Sequence, residues 1–460
     1  MGYGQPATSF SLPESALPAL AQKYMVPGIQ LAIHHSGSTA CWEIGELEIR
    51  TGCRVTEDAV FPVGSITKCV TASVVTILAA DGDVDPDEPI TGHVPEAGEL
   101  GRRLTPRQLL SHTSGLADLP GMAETSSLSL RRYVAEHVRP GNFVRAPGTG
   151  FSYSTLGYAL AGRLIETVTG MSWAEAVEAI LLRPLGIDAA FTGTPRTWPG
   201  RRPCATGHSV NRGTGRIRPV CQSGGPAISP AGGLALSAGD LIKLGLMHTG
   251  PSASGPLPAA SARAMREPVA QADPFGLADG WGMGLAVYRW QAGHWVGHDG
   301  NADGTSCHLR ISPADDWVIA ITTNGSTGTA LWQELQAELA QAGIPIGPPR
   351  AAAPCAPHAA PPPGCAGRYV NGEVEYEVTW NDSGFLCLSL DGEDAMPLTI
   401  GSDLTFSAAD PASAYLYSGR FVREPATGEI RGIQAGGRFA ARPAVAGTAA
   451  PGGRDPAPAG

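Results

Sequence analysis

Apolar residues change their spacing several times along the chain, and each change predicts a different kind of element. Residues 17–24 have helical spacing and lead into Gly28-Ile29-Gln30-Leu31-Ala32-Ile33-His34-His35, which predicts a helix followed by strands of an antiparallel sheet. After Val63-Gly64-Ser65-Ile66-Thr67-Lys68, the residues Val70, Val74, Ile77 and Leu78 recur at helical spacing as far as Asp81-Gly82, so a buried helix is expected to open at Ser65. Helical periods continue to about residue 190, notably over 158–166 and 173–182. Loops rich in Gly, Pro and Arg fill much of 192–230, and one further helix is expected over 238–247. Alternation returns from Trp281, through 285–288, 294–298, 306–311 and 317–322, as the closing strands of the sheet. A last helix over 328–342 would pack back onto it.

Composition changes abruptly after that helix. Residues 346–364 form a proline-rich, charge-poor spacer, and beyond it short strands are expected over 367–370, 374–380, 385–390, 404–406, 419–423 and 437–439. That pattern predicts a small antiparallel barrel or curved sheet. The chain therefore reads as α/β in the α+β sense, with a large unit over 1–345, a linker over 346–364, a β-domain over 365–445 and a disordered tail over 446–460.

Charge and cysteine content remove several classes of function. A formal charge of −10 gives no concentrated basic face for phosphates, so no nucleic acid partner is expected. No stretch approaches the roughly 20 apolar residues of a membrane span, so no membrane partner is expected either. Met1-Gly-Tyr-Gly-Gln-Pro lacks a charged segment followed by an apolar run, and the expected location is cytoplasmic. Nine cysteines, odd in number and without a Cys-x-x-Cys, suggest neither a disulfide framework nor zinc. His294 and His298 are four apart without a further ligand at suitable spacing, so no metal is expected, and no motif asks for a cofactor.

Three segments carry candidate chemistry. Ser65 and Lys68 are three apart, which places them on one face at the positive end of a helix and pairs a nucleophile with a proton acceptor. Among 32 Lys plus Arg the lysines are Lys23, Lys68 and Lys243, and a buried amine can lose its proton near neutrality whereas a guanidinium cannot. Tyr153 lies in Ser152-Tyr153-Ser154-Thr155 after a glycine-rich turn; near two cationic groups it would be held partly as phenolate and could relay protons to and from a serine. The third segment is Gly297-His298-Asp299-Gly300-Asn301 on a predicted strand, where Gly300 would let substrate approach the backbone closely.

Taken together, these segments resemble the serine beta-lactamase and penicillin-binding-protein superfamily, in its class C and DD-peptidase-like branch. The matching motifs are Ser65-x-x-Lys68, Tyr153-x-Thr155, His298-Asp299-Gly300, Leu109-Leu-Ser-His-Thr-Ser-Gly-Leu116 and the run from Ala231 to Leu241, in the expected order over residues 15–340. The resemblance implies an antiparallel sheet flanked by helices plus a helical region. It implies Ser65 as the acylated nucleophile, Lys68 and Tyr153 sharing base and acid duty, and His298 as the third motif's basic residue. It also implies an oxyanion hole from the backbone N–H groups of Ser65 and Asn301, worth about 3 kcal/mol per donor. Thr155 stands where asparagine is usual, and His298, partly charged at neutral pH, stands where lysine is frequent. Weak beta-lactam hydrolysis is the expected consequence.

A narrower resemblance is to the stand-alone penicillin-binding-protein-type thioesterases, which pair this domain with a C-terminal lipocalin-like one. It is carried by residues 274–285, 306–311, 322–327 and 419–424. It implies release and head-to-tail macrolactam cyclisation of a nonribosomal peptide held as a thioester on a peptidyl carrier protein. The alternative is a cytoplasmic esterase or D-specific peptidase with the same serine chemistry. Substrate contacts are expected from Thr155, Gly232, Gly233, Trp281, Asp299 and Gly300. Arg438 and Arg442 are four apart, and one of them, with Arg442 favoured, is expected to face the cleft.

Overall fold

The computed structural model describes residues 15–119, 127–192, 202–250, 255–290, 293–347, 361–401, 403–409 and 416–443. Most of the expected linker and all of the expected tail lie outside them. Helix α1 (Ala16–Tyr24) leads into β1 (Gly28–His35) and β2 (Ser38–Gly45). Helix α2 (Thr67–Ala80) and helix α3 (Thr155–Thr169) belong to the helical region. The sheet is completed by β3 (Gly280–Trp281), β4 (Ala286–Trp290), β5 (Gly293–Ala302), β6 (Thr305–Ser312) and β7 (Trp317–Thr323), and α4 (Gly328–Gln341) follows. These strands form one seven-stranded sheet in the order β2-β1-β7-β6-β5-β4-β3.

Both faces of the sheet are covered, so that the polar as well as the apolar residues of β1 from Gly28 to His34 are buried. On one face Ile29, Leu31 and Ile33 pack with Leu17 and Leu20 of α1 and Leu331 and Leu335 of α4. On the other, Ala32 and Ile311 join the core built around Val70, Val74 and Leu78 of α2. Every residue of α2 from Thr67 to Leu78 is buried, so a cation on this helix must sit in a low dielectric.

Two segments depart from the expected pattern. The helix does not open at Ser65: Gly64–Ile66 form a 3₁₀ turn and the α-helix begins at Thr67. Gly64 has φ +50°, and a Cβ there would lie 2.2 Å from the carbonyl oxygen of Asn301, so the turn and β5 fit only around a glycine. The region expected as loop contains an antiparallel hairpin, Gly207–Asn211 with Arg216–Val220. Its second strand has no buried residue, and so it carries no apolar period that sequence could reveal.

The C-terminal part is a closed eight-stranded antiparallel barrel of consecutive strands: β8 (Gly367–Asn371), β9 (Val374–Trp380), β10 (Leu386–Leu390), β11 (Met396–Ile400), β12 (Thr405–Ala409), β13 (Leu416–Arg423), β14 (Ile430–Ala435) and β15 (Arg438–Ala441). Its interior holds Tyr369, Val378, Leu388, Phe406, Phe421 and Ile433. Strands β11 and β14 add to the six that alternation predicts.

The barrel is fastened to the larger unit beside Tyr153. Tyr153 donates its N–H to the carbonyl of Gly437 at 3.0 Å, and Phe439 donates its N–H to Ser152 Oγ at 3.3 Å. The fully buried Asn371 accepts from the N–H of Asp118 at 2.6 Å and donates to Ser152 Oγ at 3.1 Å and to the Phe439 carbonyl at 2.7 Å. A second fastening joins Arg420 to the Asp273 carboxylate at 2.6 Å and Gln434 to the Asp273 carbonyl at 2.8 Å.

Candidate active site

The 3₁₀ turn presents Ser65 at the end of α2, partly open to solvent, while Lys68 one turn along is 1% exposed. The Lys68 ammonium nitrogen lies 3.1 Å from Ser65 Oγ and 2.9 Å from the carbonyl of Ala231. Burial is the main reason that Lys68 is brought down to about 7 from the ordinary lysine range. The lysine is therefore a ready proton acceptor close to neutrality.

Tyr153 also contacts Ser65 by a side-chain hydrogen bond, and its ring lies 4.9 Å from the Lys68 nitrogen. Burial raises its phenol well above the usual tyrosine range in spite of the Ser65 bond and of Arg438. The expected partial phenolate is thus corrected: Tyr153 is a neutral phenol, and the titrating group of the pair is Lys68. His112 stacks on Tyr153 with ring centroids 4.1 Å apart. Its Nδ1 accepts from the N–H of Ser154 at 3.1 Å, which places the proton of the neutral ring on Nε2.

His298 on β5 is 2% exposed and its Nδ1 lies 2.5 Å from the carbonyl of Asp299. Because a carbonyl only accepts, Nδ1 is the protonated nitrogen and Nε2 carries the lone pair. Burial first, then Lys68, push His298 down to about 4, so the expected partial charge is replaced by a neutral ring. Trp281 is 2% exposed and packs edge-on against His298, with centroids 5.2 Å apart, and against His112 at 5.4 Å. It forms the wall behind Tyr153 and His298 and does not line the open cleft as expected.

Other expected contacts turn out to be structural. Gly300 is not cleared for substrate: a Cβ there would lie 1.9 Å from the carbonyl oxygen of Val63, so the glycine admits the nucleophile turn itself. The Asp299 carboxylate points to the other face of β5, where it binds His308 at 2.7 Å and Arg310 at 2.7 Å. Although burial alone would raise it, Arg310 and His308 hold this carboxyl far below the usual range. Gly233 fits tightly against Ser229, where a Cβ would come within 2.7 Å, whereas Gly232 stands open beside Gly64. Arg442 lies beyond β15 and bonds to the Gly364 and Ala366 carbonyls and to the Tyr369 hydroxyl, away from Ser65.

The arginine that does reach the site is Arg438. Its Nε donates to Asp118 Oδ2 at 2.6 Å, and its guanidinium lies 5.3 Å from the Tyr153 ring. Asp118 is 1% exposed, and its other oxygen accepts from the N–H of Thr155 at 2.7 Å. Sequence reasoning missed Asp118 and His112. His112 lies inside the motif Leu109-Leu-Ser-His-Thr-Ser-Gly-Leu116, but Asp118, after Leu116-Ala117, carries no signal that singles it out. Asn301 is exposed at the end of β5 with its backbone against the Ser65 turn. Among the described residues no group of three or more His, Cys, Asp or Glu is placed to hold a metal ion.

A Ser-Lys-Tyr constellation at the joint between an antiparallel sheet and a helical region defines a serine-acylating enzyme of the beta-lactamase and penicillin-binding-protein type. The chain belongs to the Beta-lactamase family, whose profile matches residues 14–344. It is 34% identical over 343 residues to penicillin-binding protein 4 of Amycolatopsis lactamdurans, covering 71% of this chain and 89% of that protein. It is 25% identical over 329 residues to an unguisins hydrolase of Aspergillus campestris, covering 67% of this chain and 61% of that one. The crystal structure of SurE superposes with a TM-score of 0.81 at 38% identity over 93% of this chain and 97% of SurE, and a second SurE structure contains D-Leu.

Proposed function

We propose that the protein releases a nonribosomal peptide from a peptidyl carrier protein and closes it head to tail as a macrolactam. The observation that carries this reading is the similarity to SurE, which spans 93% of the chain, together with the D-Leu in one of the SurE structures. It agrees with the resemblance to penicillin-binding-protein-type thioesterases, in which a lipocalin-like domain accompanies the catalytic one.

In this reading neutral Lys68 accepts the Ser65 hydroxyl proton across the 3.1 Å contact while Ser65 Oγ attacks the thioester carbonyl. The C–S bond breaks, the proton passes from Lys68 to the departing thiolate through the Tyr153 hydroxyl, and a peptidyl ester on Ser65 remains. The peptide's own amine then attacks that ester; it forms the amide bond, the C–O bond to Ser65 breaks, and the amine's proton returns to Ser65 Oγ along the same relay. Backbone N–H groups of Ser65 and Asn301 would hold the oxyanion of both tetrahedral intermediates. Cyclisation outruns hydrolysis when the amine is held in place, since effective molarities reach about 10⁵ M or more for well-oriented reactants. A neutral His298 and Thr155 offer no cation for a beta-lactam carboxylate, which supports a peptide thioester over a beta-lactam as substrate.

The second reading, hydrolysis, is supported by the similarity to the unguisins hydrolase and to the esterase EstB of Burkholderia gladioli, which is 30% identical over 217 residues. One assay separates them. A synthetic peptidyl thioester ending in a D-residue should give a cyclic product by mass spectrometry, and its L-epimer little product. Linear acid as the dominant product from several peptides, or equal turnover of the epimers, would favour the hydrolase.

A further inference from the structure

A buried lysine within the field of a buried carboxylate would ordinarily stay an ammonium, because the opposite charge stabilises the protonated form. Asp118 acts on Lys68 in that direction, yet Lys68 has to be an amine to accept the Ser65 proton. The described groups that face Lys68 are Cys69 on α2, Tyr158 on α3, His112, Asp118 and Tyr153 on the segments before α3, His298 on β5, and Arg438 on β15. Burial keeps Cys69, Tyr153 and Tyr158 protonated and His112 and His298 neutral. Asp299 lies on the far face of β5 and is paired with Arg310. Among the groups facing Lys68, then, Asp118 and Arg438 are the two that carry charge at neutral pH.

Their effects on Lys68 oppose each other, they come from opposite sides of the domain joint, and Lys68 and Arg438 lie against the same Tyr153 ring, 4.9 Å and 5.3 Å from its centroid. Asp118 is held by the larger unit through the Thr155 N–H, and Arg438 is delivered by the barrel to the other carboxylate oxygen at 2.6 Å. The delivery is well anchored. Gly437, one residue before Arg438, accepts from the Tyr153 N–H, and Phe439, one residue after it, donates to Ser152 Oγ.

We propose that Arg438 is a positioning residue for the proton acceptor: docked against Asp118, it cancels the buried carboxylate and so leaves Lys68 free to exist as an amine. Arg438 acts through Asp118 and requires no contact with substrate. The barrel is then an electrostatic part of the catalytic machinery, and without it the uncompensated Asp118 carboxylate would favour the ammonium form of Lys68. This inference concerns the acylation of Ser65 by any acyl donor and does not rest on the thioester reading.

The chain contains three lysines, so full-length protein labelled with ¹⁵N at the lysine side chains gives three amine signals, and that of Lys68 is assigned by its loss in Lys68→Met. Wild-type Lys68 should titrate at about 7. Arg438→Gln should raise that midpoint by about one pH unit or more, Asp118→Asn should lower it, and the double variant should return toward wild type. Arg438→Lys, which keeps the charge, should preserve the midpoint. The pH dependence of Ser65 labelling by a fluorophosphonate should move in the same directions. A merely structural role for Arg438 would slow labelling without moving the midpoint. An unmoved midpoint in Arg438→Gln, or a double variant that matches Arg438→Gln, would overturn the proposal. If Arg438→Gln does not fold, Asp118→Asn decides alone, and a midpoint that fails to fall rejects it.

Discussion

Lys68 concentrates the chemistry of this protein because its helix is buried on every side. An amine that is 1% exposed and titrates at about 7 is roughly half deprotonated at neutral pH, which a surface lysine never is. Since only the amine form accepts the Ser65 proton, acylation of Ser65 should rise as pH increases through about 7 and level off above it. Lys68→Arg keeps the charge and removes the titration, so it should slow acylation by about 10²- to 10⁴-fold, the usual contribution of a general base. Stopped-time labelling with an acylating probe, read by intact mass, measures both effects, and Ser65→Ala should give no adduct at all. The scarcity of lysine in the sequence by itself points to this residue. The protonation state of its neighbour was not legible in the same way: Tyr153 was expected as partial phenolate from nearby positive charge, but burial outweighs that charge, and depth is a property of the folded chain.

At the scale of elements, the site depends on how closely β5 approaches the 3₁₀ turn that carries Ser65. Two glycines face each other across that contact, Gly64 against the Asn301 carbonyl and Gly300 against the Val63 carbonyl. Gly300→Ala should therefore push the strand and turn apart, at about 1–3 kcal/mol for overpacking, and displace the Asn301 N–H from the position proposed for it as an oxyanion donor. Acylation should fall by more than about 10²-fold, as it does when one oxyanion donor is lost. A variant with wild-type acylation would show that the contact is slack. The far face of β5 carries the Asp299-Arg310-His308 cluster, in which the Arg310 side chain is 5% exposed and stacks 4.1 Å over Tyr288. Asp299→Asn leaves that arginine without its counterion and should lower the melting temperature by several degrees, with loss of about 2 kcal/mol once the partial exposure of Asp299 is allowed for. These elements also show where periodicity suffices. Strands β1, β5, β6 and β7 and helices α2 and α4 were legible because their apolar residues repeat. The hairpin at Gly207–Asn211 and Arg216–Val220 was not, because a half-exposed ribbon has little apolar signal to repeat. The role of Asp299 was misplaced because neighbouring residues on a strand face opposite sides, so one motif serves both the cleft and the layer behind it, and that of Gly300 because the space above it is taken by the Ser65 turn, a long-range contact.

For the whole molecule the question is whether two cores behave as one. The barrel has its own interior, yet its β14–β15 end is bonded to Ser152 and Tyr153 and its Asn371 closes the gap between Asp118, Ser152 and Phe439. Asn371 is 0% exposed and its side chain makes all three of these hydrogen bonds, so removing it strands polar groups on both sides of the joint. Each group left unpaired in a buried place costs about 1–3 kcal/mol, a large share of the few kcal/mol by which a small domain such as the barrel is stable. Calorimetry should show a single transition for the wild type. In Asn371→Ala the barrel should melt first and the transition should split or broaden, whereas Glu377→Gln on the exposed side of β9 should leave it intact. Because the same joint delivers Arg438 to Asp118, acylation of Ser65 in Asn371→Ala should weaken in step with the barrel's transition. A split transition with unchanged acylation would mean that the barrel is held near the site without contributing to it.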